Sequence, residues 1–258
     1  MYYPLQIPYI LNNAFSEHIS YTEEVVSLLQ DFVICFWEMN PRSAAKKSIQ
    51  NIITTDGCID LVVNYNDRQI GFAGMSKTDF HFTIEAPNKF CGARMKPGAF
   101  QQLTGLPATA AMDNFVPLER VDAEFDSESF FILSFEQAKA YLKNYLQQFV
   151  YGKTPNNFLK VFDIFSISPP LTTAELYQSL HLSARQSQRA FIKHFGLTPQ
   201  MVLSIIRFQR CLKILTSDTA APSDILEALT YYDQSHFIKD FKKNIGFTPL
   251  EYIKKCKN

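Results

Sequence analysis

The chain lacks the segments by which membrane and secreted proteins are recognised. No apolar run approaches the roughly 20 residues that a membrane-spanning helix needs, and residues 1–11 contain no basic residue ahead of their apolar stretch, as a secretory signal would require. The five cysteines are scattered and form no C-x-x-C pair, which predicts buried thiols and not a zinc ribbon or a disulfide scaffold. We therefore expect a cytoplasmic protein with no membrane partner.

Signatures of catalysis and of metal binding are missing as well. The sequence has no P-loop, no G-x-S-x-G and no G-x-G-x-x-G. The candidate metal ligands are scattered, and no H-x-H or H-x-x-x-H pair joins them (His18, Asp56, Asp60, His81 and Glu85). We therefore expect no metal, no cofactor and no enzymatic activity.

The chain also lacks net charge, with 25 basic and 25 acidic residues. This balance conceals an asymmetry, because residues 160–258 carry 13 basic against eight acidic side chains, whereas residues 1–159 carry 12 against 17. A basic half joined to an acidic half is typical of a DNA-binding module attached to a second domain.

Alternating apolar and polar residues mark the first third of the chain. Ile59, Leu61 and Val63 alternate with polar or smaller neighbours, and the segment from Phe80 to Glu85 repeats the pattern. Turn signals separate these segments, among them Thr55-Asp56-Gly57. The pattern predicts an antiparallel β-barrel or sandwich-like domain with short helices over residues 1–125. The overall fold class is α+β.

Beyond this domain the periodicity becomes helical. Ala138, Leu142, Leu146 and Phe149 lie on one stripe that ends before Gly152. We interpret residues 126–157 as a connecting helix and linker, and residues 158–258 as an all-α domain.

The all-α segment contains an internal repeat at an offset of 50 residues. Residues 191–199 (FIKHFGLTP) align with residues 241–249 (FKKNIGFTP). In each copy a glycine suits the left-handed end of a helix, and Thr-Pro suits the cap and first position of the next helix. Ser183 and Asp233 are N-cap types that open the preceding helices, at about 184–195 and 234–245. A further amphipathic helix precedes each of these N-caps, so each copy has the outline of helix, short turn and helix. A long helix from Pro199 joins the two copies.

The outward faces of these two helices carry the residue types that contact nucleic acid. Phe191 and Phe195 face inward in the first copy, and Phe237, Phe241 and Ile245 do so in the second. Basic and amide side chains occupy or flank the opposite stripes, where they can read base edges or bind phosphates. A solvated amphipathic face is the alternative for one helix alone, but a matched pair favours DNA. The candidates are Arg185, Gln188, Arg189, Lys193, Gln234, Ser235, Lys239, Lys242 and Lys243.

Residues 231–252 (YYDQSHFIKDFKKNIGFTPLEY) resemble the signature of AraC/XylS-type transcription regulators, and the likeness covers residues 160–256. The resemblance implies double-stranded DNA as a partner, with Arg185, Gln188 and Arg189 of one recognition helix and Gln234, Ser235 and Lys239 of the other in contact with it. RNA polymerase would be a further partner of an activator. The chain departs from the family pattern at Tyr177, where an alanine is usual, at His181 and Thr230, where a glycine is usual, and at Ser187, where a leucine is usual.

Residues 55–64 (TDGCIDLVVN) and 92–99 (GARMKPGA) are similar to the sensor-like domain that precedes this module in some bacterial regulators. This likeness implies a small-molecule effector, a homodimer, or both. Two alternatives remain: an N-terminal domain that serves only protein association, and a β-barrel enzyme with a helical tail. A ligand-sized open cavity would favour an effector over an association domain.

Overall fold

A computed structural model describes residues 1–6, 13–74, 81–216 and 234–256 of the 258-residue chain. Within these ranges the strands are β1 Ile19–Glu24, β2 Val33–Pro41, β3 Lys47–Ile52, β4 Ile59–Asn64, β5 Gln69–Gly74, β6 His81–Ala86, β7 Phe90–Met95 and β8 Phe115–Pro117. The α-helices are α1 Asn13–His18, α2 Ala99–Thr104, α3 Ser127–Phe130, α4 Phe135–Val150, α5 Val161–Ile167, α6 Thr173–Ser179, α7 Ala184–Phe195, α8 Pro199–Leu215, α9 Gln234–Ile245 and α10 Pro249–Cys256. No helix in the described ranges is both long enough and apolar enough to cross a membrane.

The strands form two antiparallel sheets. The larger has the order β1-β2-β7-β4-β5-β8, and the smaller consists of β3 and β6. The predicted α+β class with an N-terminal antiparallel domain is confirmed, in a sandwich-like form. The alternation in β4 is as predicted, because Ile59, Leu61 and Val63 are buried and their neighbours Asp60, Val62 and Asn64 are only half-buried.

The two faces of the larger sheet have different neighbours. Leu61, Val63 and Ala93 point into a core that also contains residues of α2 and α4. Trp37 and Phe90 point to the opposite face, where they pack with Ile49 and Ile84 of the smaller sheet. One face therefore carries the main core of the domain, and the other faces the space between the sheets.

Helix α4 begins at a capping box in which Ser134 and Gln137 satisfy each other's backbone N–H groups. Its buried stripe, with Ala138, Leu142 and Leu146, belongs to the same core as the larger sheet. Helix α4, which lies in the predicted connecting segment 126–157, thus packs against the strands.

The helices of the C-terminal region end and begin as the repeat predicts. Gly196 (φ 70°) and Gly246 (φ 83°) are left-handed. Thr198 accepts a hydrogen bond from the Met201 amide at 3.2 Å, and Thr248 accepts one from the Glu251 amide at 3.3 Å. Each glycine therefore stops one helix, and each threonine starts the next.

The two halves of the chain share a hydrophobic core. Cys35, Cys58 and Met112 from the strand-rich half pack with Phe162 and Phe195 among other helical residues. At Gly196 a Cβ atom would lie 2.5 Å from Cγ of Met112, so the backbone of the helical half approaches the strand-rich half closely.

Candidate functional site

Helix α7 is an exposed, polar helix anchored by its inner face. Ser183 caps it as predicted, because its hydroxyl accepts a hydrogen bond from the Gln186 backbone N–H, and Oε1 of Gln186 accepts one from the Ser183 backbone N–H. Phe191 and Phe195 are buried, with exposed fractions of 0% and 1%. All four candidate contact residues of this helix are exposed: Arg185, Gln188, Arg189 and Lys193.

Helix α9 repeats this arrangement. Its bounds, Gln234–Ile245, are those predicted, and Phe237, Phe241 and Ile245 are buried. The predicted cap Asp233 lies outside the described residues. The five candidate contact residues are all exposed: Gln234, Ser235, Lys239, Lys242 and Lys243.

Helix α8 separates the two polar helices. It has 17 residues, which corresponds to a length of about 25 Å. Successive turns of the major groove on one side of B-DNA are roughly 34 Å apart. A spacer of this length is therefore compatible with two helices that enter neighbouring turns.

Three of the departures from the family pattern have visible consequences around α6 and α7, and the fourth, Thr230, lies outside the described residues. His181 is left-handed, with φ 52°, at the position where glycine is usual. Ser187 is completely buried, and its hydroxyl has no hydrogen-bond partner among the residues that the structure describes. Tyr177 is half-buried against the shared core. The turn therefore keeps the backbone conformation of a glycine while it carries a larger side chain.

A cavity of about 520 Å³ lies between the two sheets. Its walls are apolar and rich in aromatic residues, and include Trp37, Met39, Val62, Phe82, Phe90 and Phe115. Ligand-binding pockets are typically about 300–1,000 Å³ and have such a lining. The space therefore has the size and character of a small-molecule site.

Asp56, Asp60 and Arg94 line the cavity, and together with Glu23, which pairs with Arg94, they form a cluster that we call the polar floor. Arg94 donates from Nη1 to Oε1 of Glu23 at 2.8 Å, and its Nε lies 3.9 Å from Oδ2 of Asp56 and 3.8 Å from Oδ2 of Asp60. Trp37 donates from Nε1 to Asp60 at 2.9 Å.

Burial and mutual interaction perturb these groups. Burial raises the pKa of the Asp60 carboxyl to about 7, although Arg94 acts in the opposite direction. Burial likewise raises the pKa of Asp56 above its ordinary value against the effect of Arg94. Although burial opposes the charge of Arg94, the neighbouring Tyr21 and Asp60 raise its pKa well above the ordinary value. The guanidinium therefore stays charged while the carboxyl of Asp60 is only partly ionised at neutral pH.

The loop beside the polar floor also contacts the helical region. Thr55 lines the cavity, and its hydroxyl donates to Oδ1 of Asn244 in α9 at 2.7 Å. Its carbonyl accepts from Nε2 of Gln209 in α8 at 2.9 Å, and Oε1 of Gln209 accepts from the Leu5 amide at 2.7 Å. One residue thus touches both the cavity and the helix that carries half of the candidate nucleic-acid contacts.

The polar floor was not predicted from the sequence. In the sequence Asp56 and Asp60 stand out only as scattered candidate metal ligands, but the fold brings both to Arg94. No group of potential metal ligands occurs among the described residues. One signal was available, because Arg94 is a charged residue within a strand, Phe90–Met95, that is buried throughout, and buried charges are rarely found without partners.

Comparisons with known proteins give separate matches for the strand-rich half and the helical half of the chain. Residues 176–255 match a family described as a helix-turn-helix domain, and residues 27–117 match a domain of unknown function. The chain is 24% identical over 89 residues to the uncharacterized HTH-type transcriptional regulator YidL of Escherichia coli and 30% identical over 88 residues to a probable thc operon regulatory protein of Rhodococcus erythropolis. These matches cover 34% and 33% of this chain but only 30% and 26% of the two relatives.

Solved structures of ToxT from Vibrio cholerae align with most of the chain. One covers 94% of this chain and 99% of its own at 10% identity, with a TM-score of 0.42. Another covers 92% and 98% at 9% identity, with a TM-score of 0.41. The family match, together with the paired helices and their caps, leads to one assignment: residues 176–255 form a helix-turn-helix domain, similar to those of the two regulators above.

Proposed function

We propose that this protein is a sequence-specific DNA-binding transcription regulator whose DNA binding responds to a small molecule held between the two sheets. Helices α7 and α9 are the recognition helices, and they enter neighbouring turns of the major groove on one side of the duplex. Residues near their N-termini, Arg185, Arg189 and Gln234, contact base edges, whereas Lys242 and Lys243 bind phosphates.

The observation that carries this proposal is the double role of Thr55. It lines the cavity and also holds Asn244 of α9 and Gln209 of α8 through buried hydrogen bonds. A ligand that moved this loop would change the position of the recognition helix α9 relative to α8. Regulation of DNA binding by a ligand requires that the ligand bind one of these two helix arrangements more tightly than the other.

The cavity also bears on the alternative role of the N-terminal domain. A domain that served only protein association would not need an open, ligand-sized space between its sheets, and the volume of about 520 Å³ supports effector binding over association alone. A homodimer remains compatible with either role.

The test is selection of genomic fragments by the full-length protein, followed by nuclease footprinting of the enriched site. We expect two protected half-sites about one helical turn apart on one face of the DNA. Affinity should fall steeply with added salt, because bound lysines and arginines displace counterions from the phosphates.

A double variant, Arg185→Ala with Lys239→Ala, should abolish protection. Its control is Lys46→Ala, which removes one exposed lysine from the strand-rich half and should leave the footprint unchanged. Selection of no sequence, or a footprint unaffected by the double variant, would refute the proposal.

A further inference from the structure

The polar floor of the cavity contains more negative than positive groups. Arg94 is its one guanidinium, and three carboxyl groups surround it, those of Glu23, Asp56 and Asp60. The side chains of Asp56 and Arg94 are 7% and 6% exposed, so solvent screens them little. The partial protonation of Asp60 described above reduces this excess but does not remove it.

A second observation lies across the cavity on the smaller sheet. Asn51 of β3 lines the space and is 1% exposed, yet its side-chain oxygen has no hydrogen-bond partner within the described part of the chain. A buried acceptor is normally satisfied, so a donor that reached this oxygen from the cavity would remove an unfavourable unpaired group.

The remaining walls supply a third element. Trp37, Phe82, Phe90 and Phe115 surround the space with aromatic rings. Such rings pack against an apolar body, and their faces also attract a positive charge.

We propose that the cavity binds an organic cation whose positively charged head carries N–H donors and whose body is apolar or aromatic. The head is an ammonium, amidinium or guanidinium group that lies on the polar floor, and an N–H of the ligand donates to Asn51. This inference rests on the proposed function only in taking the cavity as the effector site.

Molecules of the opposite charge fit this site poorly. A carboxylate or phosphate head would add a further negative charge beside Glu23, Asp56 and Asp60, and neither could donate to the Asn51 oxygen when ionised. Arg94 offsets this only in part, because its charge is already shared among the three carboxyl groups, although its Nε has no hydrogen-bond partner among the described residues. A neutral ligand would satisfy Asn51 but would leave the excess charge of the polar floor in place.

The test is isothermal titration calorimetry of the full-length protein with probes that differ only in their head group. One series is tryptamine, tryptophol and indole-3-propionate, and the other is 4-phenylbutylamine, 4-phenylbutanol and 5-phenylpentanoate. We expect each amine to bind roughly tenfold or more tightly than the matched alcohol, with the carboxylate weakest.

Two variants locate the head group. Asp60→Asn keeps an oxygen for Trp37 and removes one negative charge, and it should weaken amine binding roughly tenfold. The alcohol should bind this variant as it binds the unaltered protein, which shows that the cavity is intact. Glu128→Gln is the matched control, because it is the same type of change at a carboxylate that is 84% exposed on the outer surface, and it should change neither affinity.

Tighter binding of the carboxylates than of the amines would overturn the proposal, and so would failure of both amines to bind at millimolar concentration. An unchanged amine affinity in Asp60→Asn would also overturn it. These measurements contain no DNA, so they test the ligand class independently of the proposed function. A footprint without a preference for amines would refute the ligand class alone. Amine binding without any footprint would refute the proposed role as a DNA-binding regulator.

Discussion

Replacement of Gln209 by methionine should weaken the junction between the two halves of the protein. Gln209 lies on α8 and is 1% exposed. Its amide joins the chain near the N-terminus to the loop beside the cavity, because Oε1 accepts from the Leu5 amide and Nε2 donates to the Thr55 carbonyl. Methionine has nearly the same length and volume, so it fills the space but makes neither hydrogen bond.

The size of the loss follows from the burial of the two abandoned groups. A buried polar group left without a partner costs about 1–3 kcal/mol. Thr55 is 4% exposed, so its carbonyl should bear the full penalty. Leu5 is half-buried, and water can reach its amide in part. We therefore expect the free energy of unfolding to fall by about 2–4 kcal/mol.

Urea denaturation followed by fluorescence and by circular dichroism measures this change. Trp37, the one tryptophan of the chain, reports on the strand-rich half, and the helical signal reports mainly on the other. Gln200→Met is the matched control, because Gln200 is exposed on the same helix and should cost little. A Gln209→Met loss no larger than that of the control would refute the reasoning, since the two hydrogen bonds would then contribute nothing.

Two further predictions concern the helix-turn-helix region. Arg189→Ala should weaken binding to the selected DNA site by about 1–3 kcal/mol and relax the preference at one base pair. Lys242→Ala should instead weaken binding to all DNA sequences alike and lower the slope of affinity against salt concentration by about one. Equal losses of affinity for selected and random DNA with Arg189→Ala, in a competition assay, would contradict this. His181→Gly should raise the free energy of unfolding by up to about 1 kcal/mol, because it relieves a left-handed residue at φ 52°. Gln178→Gly, within α6, should lower it by about 1 kcal/mol, and the same sign for both changes in urea denaturation would contradict the explanation.

The features that the sequence predicted well depend on neighbouring residues. The stops at Gly196 and Gly246, and the caps at Ser183, Thr198 and Thr248, are as predicted. Each depends on the backbone freedom or the hydrogen-bonding reach of one side chain over about three residues. The alternation in β4 was equally local, because burial on one face imposes a period of two.

The features that the sequence did not predict join distant parts of the chain. Glu23, Asp60 and Arg94 meet only because β1, β2, β7 and β4 lie side by side in one sheet. Thr55 meets Asn244 across 189 positions of sequence. A periodicity describes which face of a strand is buried, but it does not describe which strands are neighbours or which loop lies against which helix.

The contacts between the two halves decide how a ligand could act on α7 and α9. At Gly57 a Cβ atom would lie 2.7 Å from the ring of Phe162, and at Gly196 it would lie 2.5 Å from Met112. These contacts leave no room even for a methyl group. A packed interior of this kind changes by switching between discrete side-chain arrangements and does not deform smoothly. The loop that carries Thr55, Asp56 and Gly57 joins the cavity to the first of these contacts, the one with Phe162. Under the proposed function, a ligand on the polar floor would act on α7 and α9 through this packed junction, and it would not need a flexible linker to do so.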